Sequence, residues 1–177
     1  METAGLIAEA LAIHHDRTEI LTEERTQFID LTAWVDRCLQ RSGIVRGVAL
    51  VRVLHTTAAV VVNENEPLLL GDLQAMLERL APETGTYAHD DFRRRRVNLE
   101  PDERRNGHAH ARALLLGDSR SIGVIEGGLD LGRWQSILLV ELDGPRYRSV
   151  SLTVMGSRRE ALQAHPGRQS DRQSPFG

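Results

Sequence analysis

The sequence predicts an α+β domain, and three observations carry that expectation. Several short valine- and leucine-rich runs end at glycine or turn residues, as strands do. Other segments repeat apolar residues at i, i+3 and i+4, as helices do. The two kinds are interleaved along 177 residues, a length that suits one domain with a sizeable core.

Leu11–Leu21 and Thr26–Leu31 are read as two opening strands that pair with each other. Thr32 then reads as an N-cap, with Val35, Cys38 and Leu39 on one helical face and Gly43 at the C-terminal stop. Gly47–Leu54 and Ala58–Val62 are apolar enough to be buried strands. Pro67 opens a second helix in which Leu69, Leu73, Met76, Leu77 and Leu80 recur at helical spacing, and Pro82 ends it. From Glu83 to Gly107 all periodicity disappears, and such a long segment in a domain is usually functional or disordered. Ala109–Leu116 favours helix, capped by Asn106. Ser121–Ile125, Trp134–Leu142 and Arg146–Met155 read as strands, with Gly127–Gly132 as a tight hairpin and Asp143-Gly144-Pro145 as a turn. Val150, Leu152 and Val154 alternate with Ser149, Ser151 and Thr153, the mark of a half-buried strand. Past Gly156 almost nothing is apolar, so the domain is expected over residues 1–156 and a disordered tail over 157–177. Two or three helices are few to cover such a sheet, which favours oligomerisation.

A net charge of -3 provides no overall basic field for nucleic acid or a membrane surface. Every basic residue is arginine; without lysine there is neither Schiff-base chemistry nor a P-loop lysine. The single cysteine, Cys38, falls on the apolar helical face and reads as a core residue rather than a disulfide or zinc ligand. Met1–Ile13 lacks a signal-peptide pattern, and no run reaches the ~20 apolar residues of a membrane span, so the expected location is the cytoplasm.

Chemistry concentrates between His55 and Gln135. His55 leaves a buried strand and precedes Thr56 and Thr57; a structural histidine is an equal reading there. Asn63-Glu64-Asn65-Glu66 closes the next strand: Glu64 has the chemistry of a general base or metal ligand, while Glu66 reads better as a helix cap. His89-Asp90-Asp91 and His108-Ala109-His110 bring together the residue types used for divalent metals and for proton transfer near neutral pH. On a helix only one of His108 and His110 can enter a site, and His110 is the expected one. Backbone N–H groups at Asn106 and Gly107 suit a phosphate, with an ordinary cap as the simpler reading. Arg93–Arg96 has only Phe92 as an aromatic neighbour and reads as a solvated loop or anion clamp, not a nucleic-acid surface. Gly127–Gly132 is not a dinucleotide fingerprint, and Trp134-Gln135 suit a planar ligand or the core.

Taken together these segments resemble the YjbQ-like family, also described as secondary thiamine-phosphate synthases. The matching residues are His55-Thr56-Thr57-Ala58-Ala59 with Asn63-Glu64, Asp72, Tyr87 with His89, Ala109-His110 with Leu115-Leu116-Gly117, Gly128 to Gln135, and Glu141. They run in order from about Ile13 to Gly156. The resemblance implies a mostly antiparallel, curved, half-barrel-like sheet under two or three helices, and commonly a homotrimer. It implies that His55, His89 and His110 bind a divalent metal, Mg²⁺ or Zn²⁺. The loop Phe92–Arg105 departs from the family's shorter acidic version.

The implied activity is thiamine phosphate synthesis, in which a thiazole phosphate nitrogen displaces pyrophosphate from a pyrimidine pyrophosphate. Glu64, Asp90, Asp91 and His110 are then the expected catalytic set. Asn63, Thr56, Gly107 and Arg112 are expected to hold the phosphorylated small-molecule substrate, and Trp134 with Gln135 its ring. The alternatives are a metal-dependent hydrolase with Glu64 as base, and a non-catalytic oligomer that binds a metabolite or metal.

Overall fold

The computed structural model describes residues 11–158, so the readings made for the N-terminal leader and for the tail fall largely outside the described residues. In chain order the elements are β1 (Ala12–Leu21), β2 (Gln27–Asp30), α1 (Thr32–Ser42), β3 (Ile44–Val53), β4 (Ala58–Asn63) and α2 (Pro67–Leu80). A short 3-10 turn (Ala88–Asp90) follows, then α3 (Gly107–Leu116), β5 (Ser119–Ile125), β6 (Gly128–Leu129), β7 (Ser136–Glu141) and β8 (Tyr147–Arg158). The fold class is α+β, as predicted. All pairing is antiparallel, in a larger sheet ordered β1-β8-β3-β5-β6 and a smaller one ordered β2-β7-β4. The larger sheet curls into a half-barrel.

The two sheets explain the apolar patterns. Ala49, Val51 and Val53 of β3 and Val150, Leu152 and Val154 of β8 point inward, against Val35, Cys38 and Leu39 of α1 and one face of the smaller sheet. The other face of that sheet, with Ala59, Val140 and Leu142, packs on Leu77 of α2 and on Ala109 and Ala113 of α3. β7 is therefore buried on both faces, which is why Ile137–Val140 is an unbroken apolar run. Among the described residues no helix is long and apolar enough to cross a membrane.

Three local expectations change. The first two strands do not pair with each other: β1 runs the length of β8, from Ala12 opposite Gly156 to Leu21 opposite Tyr147, while β2 joins β7. A ten-residue alternating strand matches the long β8, whereas the four-residue β2 matches a short sheet, and the chain crosses between them at the buried Thr22. Trp134 and Gln135 lie in the turn before β7 rather than in the strand, with the Gln135 N–H donating to the Gly132 carbonyl at 2.9 Å. The N-cap of α1 is Leu31 rather than Thr32; Asp30 accepts from the Thr32 N–H at 2.8 Å, and the Thr32 hydroxyl accepts from the Ile137 N–H at 2.9 Å. The Gly43 stop and the Glu66 cap hold, while the hairpin read over Gly127–Gly132 turns at Glu126 and Gly127 with Gly128–Leu129 as its return strand, and Asn106 gives α3 no side-chain cap bond. Gly43 has φ +67, Glu126 and Gly127 turn the β5–β6 hairpin at φ 53 and 82, and Glu66 caps α2 by accepting from Leu68 and Leu69 at 2.9 and 2.7 Å.

One buried polar network ties the two sheets together. Arg148 of β8 and Glu141 of β7, 2% and 0% exposed in their side chains, form a two-pronged ion pair, with Arg148 Nε donating to Glu141 Oε2 at 2.6 Å. Glu141 also accepts from the Thr22 hydroxyl at 2.9 Å and from the Leu142 and Asp143 N–H groups at 2.8 Å. Arg148 donates further to the Thr57 hydroxyl at 3.0 Å. Burial alone would raise the Glu141 carboxyl, but these donors outweigh it and hold it below the usual carboxylate range. Glu141→Gln strands the Arg148 charge and is expected to lower the unfolding free energy by about 3–5 kcal/mol in urea titration. Replacing both residues by apolar ones of similar volume is expected to recover most of that loss. A single-variant cost near that of a surface pair, below about 1 kcal/mol, would contradict this assignment.

Candidate active site

A cavity of about 770 Å³ opens where the end of β3, the 3-10 turn, the start of α3, the segment Arg95–Glu103 and the β7–β8 turn meet. His55, Thr56, His89, His110, Asn106 and Asp143 line it together with Arg95, Arg146 and Arg148. The three histidines predicted to act together therefore do share one hollow.

His55 follows β3 and is held by the opposite strand, its Nε2 accepting from the Ser149 N–H at 2.8 Å. That bond occupies the Nε2 lone pair, so the neutral ring carries its proton on Nδ1. Burial, then the Arg148 charge, keeps its pKa below the usual histidine value. His89 and His110 meet edge to face, with ring centroids 4.6 Å apart. Asp90 holds them there: its Oδ1 accepts from the N–H groups of Asn106 and Gly107, both at 3.0 Å, and so locks the 3-10 turn onto the first turn of α3. A carboxylate at a helix N-terminus is favourable by about 0.3–1 kcal/mol. Gly107 is required by the same contact, because a Cβ there would stand 2.5 Å from Tyr87 Cβ. Burial, then His89 and Arg95, lowers the His110 pKa, and His89 Nε2 is buried without a partner among the described residues.

The aperiodic segment is a strap tied to the body. Arg95 turns inward, donating to the Val97 carbonyl at 3.3 Å and to the Asn98 carbonyl, with Nη1 3.3 Å from Glu103 Oε1. Arg104 donates to the Gly144 and Pro145 carbonyls at 3.3 and 3.2 Å. The rest of the arginine run, Arg93, Arg94 and Arg96, is exposed. On the opposite wall three donors converge on one oxygen of Asp143. Asn106 Nδ2 and Arg146 Nε reach Oδ2 at 3.1 Å, and Arg146 Nη2 reaches it at 2.8 Å. Asp143 Oδ1 and Asn106 Oδ1 are both buried and have no partner among the described residues, each at a cost of about 1–3 kcal/mol.

The other predicted residues lie elsewhere. Asn63 and Glu64 close β4 at the end opposite Ala58, roughly 17 Å away at about 3.3 Å per residue. Trp134 and Gln135 gather near them, Trp134 exposed under the Arg133 guanidinium at 4.6 Å and Gln135 accepting from the Gly132 N–H at 2.7 Å. None of these four lines the cavity. The Gly107 N–H predicted for phosphate is taken by Asp90. Arg112 is buried between α3 and the end of α2, donating to the Ala81 carbonyl at 2.9 Å and to the Glu78 carboxylate. Asp91 accepts from the Arg93 N–H and Nε at 3.2 and 3.3 Å and faces a neighbouring hollow. Among the described residues no three His, Cys, Asp or Glu side chains converge closely enough to hold a metal ion. With His55 Nε2 already bonded, the histidine triad does not fit one within a single chain.

Sequence reasoning missed Asn106 as a side chain of the cavity, and also Asp143, Arg146, Arg148 and Arg95. Asp143 was legible only as a turn residue. The clue to the rest is the clustering of Glu141, Asp143, Arg146 and Arg148 around that turn, too much charge for an ordinary hairpin between buried strands.

The family model described as UPF0047 protein YjbQ-like matches residues 16–157. A UPF0047 protein from Methanothermobacter thermautotrophicus is 38% identical over 146 residues, covering 82% of this chain and 94% of that one. YugU of Bacillus subtilis, also a UPF0047 protein, is 34% identical over 139 residues, 78% and 96% of the two chains. Among solved structures, a YbjQ-like protein of unknown function from Sulfolobus solfataricus superposes with TM-score 0.76 at 33% identity, over 84% of this chain and 100% of that chain. A hypothetical protein from Aeropyrum pernix superposes with TM-score 0.72 at 40% identity, over 81% and 99%.

Burial is the first cause of lowered pKa in His55, His108 and His110 alike. Above about pH 6.5 folded and unfolded chains both carry these rings neutral; below it the unfolded chain takes up protons that the folded one refuses. Stability is therefore expected to be fully present above about pH 6.5 and to fall as pH drops through the folded midpoints. Imidazole NMR titration should place those midpoints below about 6.5, and His110→Gln should flatten the loss between about pH 6.5 and 5. Midpoints at or above the usual value would refute this account.

Proposed function

The chain belongs to the UPF0047, YjbQ-like family, and from that premise we propose that its histidine-lined cavity is an enzyme site for a phosphorylated small molecule. The reaction is the transfer the family resemblance implies: a pyrimidine pyrophosphate is joined to a thiazole phosphate. In that step the thiazole nitrogen forms a bond to the methylene carbon, the carbon–oxygen bond breaks, and pyrophosphate leaves with the bonding electrons.

The observation that supports this reading most is the His89–His110 pair on a cavity of about 770 Å³, with His89 Nε2 unpartnered among the described residues. Burial lowers the His110 pKa, and a neutral imidazole there can donate a hydrogen bond to the departing oxygen without an added proton. The cavity arginines are each matched by an acid, Arg95 by Glu103, Arg146 by Asp143 and Arg148 by Glu141. A diphosphate therefore has to arrive with its own counter-charge, as a magnesium complex. The assembly we propose is a homotrimer, supported by the exposure of Leu68 on α2 and of Leu114 and Leu115 on α3.

With the pyrimidine pyrophosphate, the thiazole phosphate and Mg²⁺, the purified protein is expected to form thiamine phosphate. His110→Ala and His89→Ala should each slow it by about 100-fold or more. Glu64→Gln, at the far end of β4, should leave the single-chain site intact. A folded wild-type protein that makes no product, or histidine variants as fast as the wild type, would rule the reading out.

A further inference from the structure

Three donors crowd one oxygen of Asp143 and leave the other bare. Arg146 gives two hydrogen bonds to Oδ2 and Asn106 Nδ2 a third, at 2.8 to 3.1 Å. Oδ1 of Asp143 and Oδ1 of Asn106 have no partner among the described residues, on side chains of residues 0% and 4% exposed. Both residues line the cavity. Arg146 and the Asn106 amide fix the carboxylate in place, so the bare oxygen cannot swing away to find a donor. The two unpartnered positions are thus both acceptors, and both are buried on the cavity wall.

We propose that these two oxygens form a subsite for the amino edge of a planar nitrogen heterocycle, an exocyclic –NH₂ donating to Asp143 Oδ1 and Asn106 Oδ1. This deepens the transferase reading, on which it rests only for the identity of the ring. A carbonyl at the same ring position places acceptor against acceptor in a buried site. Such a ring is rejected, because a buried polar group left without its partner is the strongest form of discrimination a pocket has. The phosphate-bearing arm takes no part in this contact, since Arg146 beside these oxygens is already committed to the carboxylate.

Isothermal titration of the wild-type protein with an aminopyrimidine alcohol and with the matching pyrimidinone alcohol, neither phosphorylated, tests the subsite directly. The amino ring is expected to bind tighter by about ten-fold or more. Equal affinities, a preference for the pyrimidinone, or no binding of either ring would overturn the proposal. Asp143→Asn adds a readout that a purely structural role would not move. Arg146 and Asn106 keep the amide oxygen, the new –NH₂ takes the bare position beside the Asn106 acceptor, and the preference for the amino ring is expected to fall to near parity. If that variant does not fold, the wild-type comparison decides alone. Thiamine phosphate formed by a protein with no amino preference would sink this subsite and leave the transferase standing. Amino preference in a protein that forms no product would do the reverse.

Discussion

The Glu141–Arg148 pair is the constraint from which the rest of the architecture follows. Two sheets with separate hydrogen-bond ladders can slide on an apolar interface, because hydrophobic contact is non-directional. A two-pronged ion pair between β7 and β8 cannot slide: both partners are buried, and every shift would leave charge without a mate. Thr22 and Thr57 join the same pair, so the exits of β1 and β3 are pinned to it as well. Three chain crossings between the sheets are thereby gathered at one end of the molecule.

That gathering makes the cavity. Glu141 takes the N–H groups of Leu142 and Asp143 and so directs the turn that presents Asp143 and Arg146. Gly144 is forced by closeness, since a Cβ would stand 2.1 Å from the Glu24 carbonyl oxygen. The strap then docks through Arg104 onto the carbonyls of that turn and closes one side. On the other side Asp90 joins the 3-10 turn to α3 and sets His89 against His110. Structural carboxylates thus do the positioning, while burial lowers the pKa of His55 and His110 beside the hollow.

Much of the fold was legible in the sequence, and the reason lies in what periodicity encodes. The alternation of Val150, Leu152 and Val154 and the helical spacing of Val35, Cys38 and Leu39 report which face meets the core, and the core obeys them. Pairing partners are a different matter: nothing in Leu11–Leu31 states that β1 will run beside β8, because that choice is made by strand length and by the crossing at Thr22. For the site, composition drew attention to His55, His89 and His110, which do meet at one cavity. It could not separate Asp90, a clamp on a helix start, from a catalytic acid, since both need the same side chain. Nor could it show that Asn63, Glu64, Trp134 and Gln135 gather at the opposite end of the smaller sheet, a consequence of β4 and β7 running antiparallel.

The charge balance of the cavity narrows what it can bind. Arginine beside a phosphorylated ligand is ordinarily a recognition group, yet here each arginine of the wall has its own acid. Such pairs add little net field, and a dianion entering alone would meet nearly neutral walls ringed by Glu100, Asp102 and Glu103. Discrimination must come instead from groups whose hydrogen-bonding capacity is unspent. Among the described residues of the cavity those are His89 Nε2, Arg95 Nη1 and the bare oxygens of Asn106 and Asp143. A ligand that complements the two oxygens presents N–H or O–H groups to them. The cavity's selectivity is thus set by unpaired hydrogen-bonding atoms held still by paired charges.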